Sequence, residues 1–414
     1  MRFWCALPVL LLVLRLAAQA PATIRQLEDS ARERLAAHDA SGALAIYQRL
    51  GEMTPGSAVY QDEIGFLLAA TNRSAEAIPY FQRATRLNPQ MAEAWYHLGA
   101  ALAITQQSAA AVRALEKAVA LAPDHADYRF RLGSAYNYSG RYAEAAVELT
   151  RAAKQLPKNA AVWAALGLAL QQQERFREAR DAYRQAVQLE PGNDAVRNSY
   201  GYMLVSTGNP NAGLEQFKKI LQHKPDEVHV QVNVGYAYIG AGNYKEAIKE
   251  LSRVVKNHPE AGDAHYDLGV AYKESDDLPR AKAELEEAVR LVPSLAEAHY
   301  VLATTYVDTG ETDKAIEQLR AAVAQRPDYA SAWFELGTLL KDRNDIDGAI
   351  EALRRSVALD GTDAGAYNTL GLLFRRKGDA EDAKRAFAKA AELRQSEEKE
   401  KEKKLRQGTA RVSK

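Results

Sequence analysis

Apolar residues recur at every third and fourth position along most of the chain, which is the spacing of amphipathic helices. In residues 92–125, one such stretch reads AEAWYHLGAALAI and a second reads AAAVRALEKAVALAP. A short polar turn separates the two stretches. Because the same two-stretch pattern returns through the rest of the sequence, it predicts an all-α chain built from antiparallel helix pairs.

A fixed period of 34 residues relates these helix pairs to one another. Prolines and glycines both repeat at that step. The prolines are Pro55, Pro89, Pro123, Pro157, Pro191, Pro225, Pro259, Pro293 and Pro327. The glycines are Gly65, Gly99, Gly133, Gly167, Gly201, Gly235, Gly269, Gly337 and Gly371, with Ala303 in the one remaining place. Such a period is typical of a solenoid, in which each helix pair buries its apolar face against its neighbours.

The turns of each helix pair also follow the period. The fifteenth position is glycine in five pairs, which predicts a left-handed backbone at the end of the first helix because glycine adopts it without steric cost. These glycines are Gly140, Gly208, Gly242, Gly310 and Gly378. The periodic proline lacks an amide hydrogen and disfavours helix in the residue before it, so it is expected to end the second helix.

These positions resemble the tetratricopeptide repeat, whose pattern is W-x2-L-G-x2-Y, then A-x3-F, then P. Trp95, Leu98, Gly99, Ala111 and Pro123 fit it position by position. The signature residues are Trp95, Gly99, Pro123, Gly133, Trp163, Gly167, Pro191, Gly235, Gly269, Trp333, Gly337 and Gly371. The resemblance implies an α-solenoid of antiparallel helix pairs that forms a right-handed superhelix. In each pair, the glycine of the eighth position is expected to face the alanine of the twentieth.

The periodicity divides the chain into a leader, a cap, ten repeats and a tail. Residues 1–20 are a predicted secretory signal peptide, and residues 21–57 are a degenerate capping repeat. The ten repeats are residues 58–91, 92–125, 126–159, 160–193, 194–227, 228–261, 262–295, 296–329, 330–363 and 364–397. Residues 398–414 alternate glutamate and lysine and are predicted to be a charged, partly disordered tail.

The leader predicts export. Its apolar run follows Arg2, stops at Arg15 and is followed by Ala18-Gln19-Ala20, the small-residue pattern of a signal-peptidase site. That run is shorter than the roughly 20 residues that cross a bilayer. We therefore expect a cleaved signal and a periplasmic or extracellular protein. Retention of the leader as a membrane anchor remains the alternative, and any other membrane association would depend on a partner.

Composition and charge limit the chemistry of the chain. Lys plus Arg and Asp plus Glu both number 54, which gives no electrostatic reason to expect binding of nucleic acid. The single cysteine, Cys5, lies in the leader. No phosphate-binding loop, HExxH, GxSxG or paired-cysteine motif is present, so we expect a non-catalytic chain without a cofactor or metal. His265 and His299 are one period apart, which favours a packing role in two repeats over a shared metal site.

The resemblance also implies a concave groove, lined by first helices, that receives peptides. The family's groove positions are the second, fifth, ninth, twelfth and thirteenth of each repeat. The residues that they select include Phe66, Tyr96, Phe130, Asn137, Tyr138, Asn198, Tyr202, Tyr236, Tyr266, Tyr300, Phe334 and Asn368. Aromatic rings are good anchors for a ligand because they bring large contact area at low entropic cost. Alternatively, they pack between neighbouring first helices and only stiffen the solenoid.

The sequence therefore predicts a protein-interaction scaffold that binds polypeptide segments, partly apolar and near neutral in charge. An exported assembly or adaptor factor of a cell envelope fits this prediction. The alternative is the recognition arm of a separately encoded enzyme, such as a glycosyltransferase or a protease complex. Two known groove signatures of the family are not supported. Only Arg131 fits its carboxylate clamp, and only Asn233 fits its asparagine ladder.

Overall fold

The computed structural model describes residues 23–412, with side-chain surroundings for residues 23–399. The predicted signal peptide therefore lies outside the described residues. Within residues 23–412 the regular structure is α-helix alone, and the helices form successive antiparallel pairs. The predicted α-solenoid is confirmed.

Twenty-two helices occupy the described residues, alternating between first and second helices of a pair. The first helices are α1 (residues 23–36), α3 (Ala58–Ala70), α5 (Ala92–Ile104), α7 (Ala126–Tyr138), α9 (Ala160–Gln171), α11 (Asp194–Ser206), α13 (Val228–Gly240), α15 (Gly262–Glu274), α17 (Ala296–Asp308), α19 (Ala330–Asp342) and α21 (Ala364–Lys377). The second helices are α2 (Ala40–Met53), α4 (Ser74–Leu87), α6 (Ser108–Leu121), α8 (Tyr142–Gln155), α10 (Phe176–Leu189), α12 (Pro210–Leu221), α14 (Tyr244–Asn257), α16 (Leu278–Leu291), α18 (Thr312–Gln325), α20 (Ile346–Leu359) and α22 (Ala380–Val412). Helix α22 includes most of the residues predicted to be a partly disordered tail.

The chain divides into two compact units, with the boundary between Met203 and Leu204 in helix α11. In each unit a helix packs against its own partner and against the next pair, and first helices also contact first helices. Buried alanine and leucine dominate the cores of both units. First helices are apolar on several faces because they contact more neighbours, whereas second helices carry one apolar face.

Glycine in the eighth position marks the close approach of the two helices in a pair. A Cβ on Gly99 would lie 2.5 Å from Cγ of Leu115 and 3.2 Å from the carbonyl oxygen of Ala111. The expected alanine of the twentieth position therefore contributes only its backbone. The residue that fills the space above the glycine is the large side chain four residues later.

Every turn inside a helix pair contains one residue with positive φ. The five glycines predicted to be left-handed have φ between 72° and 92°. The equivalent residue of the other pairs is not glycine, yet φ is 57° to 65° there as well. These residues are His38, Asn72, Gln106, Glu174, Asp276 and Asn344. The pairing of the helices therefore imposes the left-handed turn whatever residue occupies it.

Glu174→Gly is expected to stabilise the chain by about 0.5 to 1 kcal/mol. A left-handed backbone costs a residue with a Cβ roughly 1 to 2 kcal/mol, and the flexibility of glycine in the unfolded chain offsets part of that gain. The converse variant, Gly140→Gln, should lose a similar amount, because no atom lies within 4 Å of its added Cβ and only the backbone is affected. Thermal unfolding midpoints of both variants measure this. A lower midpoint for Glu174→Gly would contradict the account.

In eight of the ten repeats, the fourth residue of the first helix donates a hydrogen bond to the carbonyl oxygen of the periodic proline. The indole nitrogen of Trp95 lies 3.0 Å from the Pro89 oxygen, and Trp163 and Trp333 do the same. Other residue types make the equivalent bond, namely Arg129 to Pro123, Arg197 to Pro191, Gln231 to Pro225, His265 to Pro259 and His299 to Pro293. This slot thus selects a side chain with an N–H group, which the sequence had suggested only as an aromatic wedge.

Candidate functional site

In each unit the first helices adjoin to form one continuous face, here called the first-helix surface. Side chains from consecutive first helices meet on it. His97 of α5 places Nδ1 2.9 Å from Oδ2 of Asp62 of α3. Asn137 of α7 donates to the carbonyl oxygen of Ala165 of α9 at 2.8 Å. The positions expected to line a groove therefore share a surface, and the sixth position belongs to it too.

The amino-terminal unit carries seven of the predicted groove residues. Three are open to solvent: Tyr138 is 71% exposed, Phe66 is 47% exposed and Tyr202 is 37% exposed. The other four, Tyr96, Phe130, Asn137 and Asn198, are partly buried. In this unit, therefore, some of the predicted aromatic rings are partly buried and others are exposed to solvent.

Tyr96 is the best packed of these rings. It stacks on Tyr128 with ring centroids 4.6 Å apart, and Tyr128 stacks in turn on His125 at 3.8 Å. Tyr128 is itself buried, and it was not among the predicted residues because the third position of a repeat does not belong to the family's groove. For Tyr96 the structure shows the packing that the stiffening interpretation requires.

A buried acid–histidine pair lies beside the exposed Phe66. The Asp62 residue is only 4% exposed, and the ring centroid of His97 is 5.3 Å from that of Phe66. Next to it, burial raises the pKa of the Glu63 carboxyl, and the carboxylates of Asp62 and Glu93 reinforce the effect. The sequence did not predict this pair, because it depends on the register between two consecutive first helices.

Tyr138 borders a small apolar cleft of about 150 Å³. The residues that line it are Ala103, Ser108, Ala111, Arg131, Ser134, Ala135 and Tyr138. Beside it, Oδ1 of Asn137 is buried without a hydrogen-bond partner among the described residues. A buried amide oxygen without a partner is unfavourable. Asn137 does not line the cleft, and its amide nitrogen faces α9, so we assign its side chain to packing between first helices.

The carboxy-terminal unit carries the remaining five predicted groove residues, and all of them are partly buried. They are Tyr236, Tyr266, Tyr300, Phe334 and Asn368. Tyr266, Tyr300 and Phe334 pack against the core of the unit. The ring of Tyr300 lies 5.0 Å from that of Tyr329, which is in turn covered by the Arg326 guanidinium at 3.7 Å. Each ring is therefore held by the fold while part of it remains open to solvent.

Two carboxyl groups lie between these rings at the sixth position. Burial raises the pKa of Asp267 to about 8, and the neighbouring Asp263 carboxylate adds to the increase. Burial also raises the pKa of Glu335. Burial first, and then the Glu335 carboxylate, raise the pKa of the Tyr300 hydroxyl, so Glu335 faces Tyr300 of the preceding first helix. Neither acid was predicted, because the sixth position was considered only for the two known groove signatures.

His265 and His299 occupy the packing slot that their spacing indicated. Nε2 of His265 donates to the Pro259 oxygen at 3.2 Å, and its Nδ1 lies 2.6 Å from Oε2 of Glu284. His299 makes the equivalent contacts with Pro293 and Gln318. The part of the chain that the structure describes contains no group of three or more His, Cys, Asp or Glu side chains placed to hold a metal ion.

One further cleft, of about 340 Å³, lies in the carboxy-terminal unit between α18, α19 and α20. Its walls include Trp333, Arg320 and Glu351, and most of its lining comes from second helices. It therefore lies away from the predicted groove residues. Among the helices of residues 23–412, none has the length and apolar character needed to cross a bilayer.

Comparison with solved structures finds helical-repeat proteins. A tetratricopeptide repeat protein from Parabacteroides merdae aligns with a TM-score of 0.55 at 15% identity, covering 60% of this chain and 98% of the other, which supports the fold alone. A crystal structure of MamA is 28% identical over 40% of this chain and 97% of its own, with a TM-score of 0.38. A human IFIT1 dimer with PPP-AAAA is 16% identical over 84% of this chain and 93% of its own, with a TM-score of 0.44.

Comparison with curated proteins found no match. Family models match most of the chain. The cytochrome c-type biogenesis protein H TPR domain matches residues 143–266. Three tetratricopeptide repeat models match residues 65–111 and 300–364, residues 105–169 and 238–303, and residues 364–397. Together these matches extend without a gap from residue 65 to residue 397, and the chain belongs to the tetratricopeptide repeat family.

Proposed function

We propose that the chain is a non-catalytic scaffold that binds polypeptide segments on the first-helix surfaces of its units. The observation that carries this proposal is the combination of open aromatic rings and unpartnered polar atoms on those surfaces. Rings supply contact area, and unpartnered polar atoms supply orientation for a peptide backbone. Membership of a repeat family whose members commonly bind peptides supports the same function.

In the amino-terminal unit, Phe66 and Tyr138 are the anchors that we favour. Both are exposed large side chains on this surface. Beside Tyr138 lies the apolar cleft. A bound segment would cover the ring and fill the cleft with an apolar side chain.

In the carboxy-terminal unit, Tyr266 and Tyr300 are the central anchors. They occupy the same position of the consecutive first helices α15 and α17, which contact each other directly. Because the core holds one side of each ring, little side-chain entropy is lost when a ligand covers the other side. Packing and binding are therefore compatible roles for these two residues.

Replacing both tyrosines, in a Tyr266→Ala/Tyr300→Ala variant, is expected to weaken peptide binding at least tenfold. Truncation of two central aromatic anchors typically costs a few kcal/mol of binding free energy. Binding is measured with the purified chain against a library of synthetic ten-residue peptides, followed by titration of the strongest binders. Tyr244→Ala is the matched control, because Tyr244 lies at the start of second helix α14.

A purely structural role for the two tyrosines predicts a different result. The double variant would then bind the same peptides with unchanged affinity, while its thermal unfolding midpoint fell. A fall in affinity with a midpoint close to that of Tyr244→Ala supports the binding role.

We also propose that the scaffold acts outside the cytoplasm, as an assembly or adaptor factor. The predicted leader supports this location. Fractionation of cells that express the full chain, with amino-terminal sequencing of the product, tests it. A product that retains its amino terminus and stays in the cytoplasmic fraction would contradict it.

A further inference from the structure

The first-helix surface of the carboxy-terminal unit is locally acidic, although the whole chain has no net charge. At the second, fifth, sixth and ninth positions, helices α15, α17 and α19 carry Asp263, Asp267, Glu297 and Glu335, and no Lys or Arg. At the twelfth position they carry Lys273 and Lys341, each of which is already paired with an aspartate, Asp308 or Asp342. Only Glu297 is neutralised, by Arg326 at 2.7 Å. Within residues 23–399, Asp263, Asp267 and Glu335 have no ion pair and accept no hydrogen bond.

Asp267 is the feature that the fold does not explain. The residue is only 9% exposed, and buried carboxyl groups in proteins are normally paired or hydrogen-bonded because an isolated buried charge is very unfavourable. It lies at the sixth position. The equivalent residue of α5, His97, contacts the preceding first helix at Asp62 and Phe66, so this position points along the first-helix surface and not into the core between helix pairs.

A second polar group on the same surface also has no partner. The Thr338 hydroxyl, at the ninth position of α19, is buried without a hydrogen bond among the described residues. Thr338 follows Glu335 by three residues, so the two lie on one face of the helix. Two first helices of this unit thus present polar groups that nothing in the described chain satisfies.

Aromatic rings alternate with these carboxyl groups. Tyr266, Tyr300 and Phe334 occupy the fifth positions of α15, α17 and α19. The face of an aromatic ring attracts an ammonium or guanidinium group, and the aliphatic stem of Lys or Arg packs on apolar surface. A carboxylate between two such rings is the environment that a long cationic side chain prefers. An anion or a purely apolar side chain would leave the acids unsatisfied.

We propose that this acidic strip, formed by Asp263, Tyr266, Asp267, Tyr300, Phe334 and Glu335, binds an extended polypeptide segment that carries Lys or Arg side chains. The inference rests on the proposed function and specifies its ligand. The cationic side chains pass between the rings and pair with Asp267 and Glu335. The bound cation stabilises the ionised form of each carboxyl group, which burial disfavours.

The amino-terminal unit does not offer the same environment. There the buried Asp62 is already paired with His97. Arg131 occupies the sixth position of α7 and borders the apolar cleft. The preference for cations is therefore assigned to the carboxy-terminal unit alone.

The spacing of the first helices sets the spacing of the cations. Neighbouring packed helices are about 10 Å apart, so Asp267 and Glu335, which are two first helices apart, are separated by about 20 Å. An extended chain advances about 3.3 Å per residue. Two cations about six residues apart in an extended peptide would therefore reach both carboxyl groups.

The test uses two synthetic ten-residue peptides. One carries two lysines six positions apart with uncharged residues elsewhere, and the other carries norleucine in place of both lysines. Fluorescence anisotropy measures their binding to the purified full chain. We expect the lysine peptide to bind at least tenfold more tightly than the norleucine peptide, because charge-assisted hydrogen bonds are the stronger kind, and to bind less tightly as salt is raised.

The variant that removes both ionisable groups is Asp267→Asn/Glu335→Gln. It should bind the lysine peptide about as weakly as the norleucine peptide. Its matched control is Glu215→Gln/Asp226→Asn, which makes the same two types of substitution at exposed residues of α12 and the loop after it and should bind as the unaltered chain does. Thermal unfolding of both double variants checks that they are folded. If the acid-removing double variant is not folded, Asp267→Asn and Glu335→Gln are tested singly.

Three results would overturn the inference. They are equal binding of the two peptides, equal binding of the lysine peptide to the acid-removing and control variants, and no binding of the lysine peptide to the unaltered chain. The Tyr266→Ala/Tyr300→Ala variant separates this failure from that of the proposed function. If both peptides bind equally and both lose affinity in that variant, the aromatic groove stands and the cation preference fails. If the lysine peptide loses affinity in the acid-removing variant but not in the tyrosine variant, the cation preference stands and the aromatic groove fails.

Discussion

Asp267→Asn is expected to be more stable than the unaltered chain by about 3 to 5 kcal/mol at pH 9, and about equally stable at pH 4. Burial raises the pKa of Asp267 to about 8, roughly four units above the value of an aspartate in an unfolded chain. Each unit of difference corresponds to about 1.4 kcal/mol. Asparagine has a similar shape and cannot ionise, so the variant avoids the cost of burying a charge.

The direction of the pH dependence follows from proton binding. Between about pH 4 and pH 8 the folded chain keeps a proton on Asp267 that the unfolded chain has lost. This contribution to stability is therefore greatest at or below about pH 4. It falls by up to about 1.4 kcal/mol per unit as the pH rises through that window, and it becomes constant above pH 8. Asp267→Asn should lack this component.

Urea unfolding midpoints at pH 4, 6.5 and 9 test this expectation. Asp263→Asn is the control, because Asp263 is exposed one turn away on the same helix and acts on Asp267 only through its charge. It should shift the midpoints much less. Parallel pH profiles for the Asp267→Asn variant and the unaltered chain would contradict the expectation, because they would show that folding does not change the pKa of Asp267.

Leu251→Ala is expected to destabilise the carboxy-terminal unit by about 2 to 5 kcal/mol. Leu251 of α14 is fully buried, and it lies directly over the glycine of the eighth position in α13. Removal of a buried leucine side chain loses its transfer free energy and leaves a cavity that the surrounding structure fills only partly. Urea unfolding followed by circular dichroism measures the loss.

The glycine below this leucine makes the prediction specific. A Cβ added at Gly235 would lie within 2.7 Å of Cγ and both Cδ atoms of Leu251, so Gly235→Ala alone should cost about 1 to 3 kcal/mol through overpacking. In the double variant the added methyl group enters the cavity that Leu251→Ala leaves. We therefore expect the double variant to lose about 1 to 2 kcal/mol less than the sum of the single losses. Additive losses would mean that the two residues do not share one space.

The fold could be predicted from the sequence because every repeat reports the same burial pattern. A period of 34 residues is visible in the prolines and glycines alone, and a single helix pair is too small to bury its apolar face by itself. The left-handed turns were predicted only where glycine marks them. Glu174 and Gln106 adopt the same backbone because the helix pair fixes the turn, and their side chains gave no indication of it.

The candidate site was only partly predictable. The fifth and ninth positions made Phe66, Tyr266 and Tyr300 candidates, since the resemblance specifies which face of a first helix is expected to line the groove. The sequence shows that Asp267 is acidic, but it does not show that the carboxyl group is buried without a partner. The net charge of zero also concealed an acidic strip in one unit, because net charge carries no information about position.

The hydrogen bond to the periodic proline has a consequence for how such chains can change over evolutionary time. Trp95, Arg129, Gln231 and His265 differ in size, charge and shape, and they share an N–H group at the right reach. The slot therefore accepts any side chain that can donate one N–H hydrogen bond at this reach, so exchanges among these four types would preserve the bond. A comparison that scores residue similarity would count such exchanges as divergence, although the bond to the preceding repeat is the same in all four.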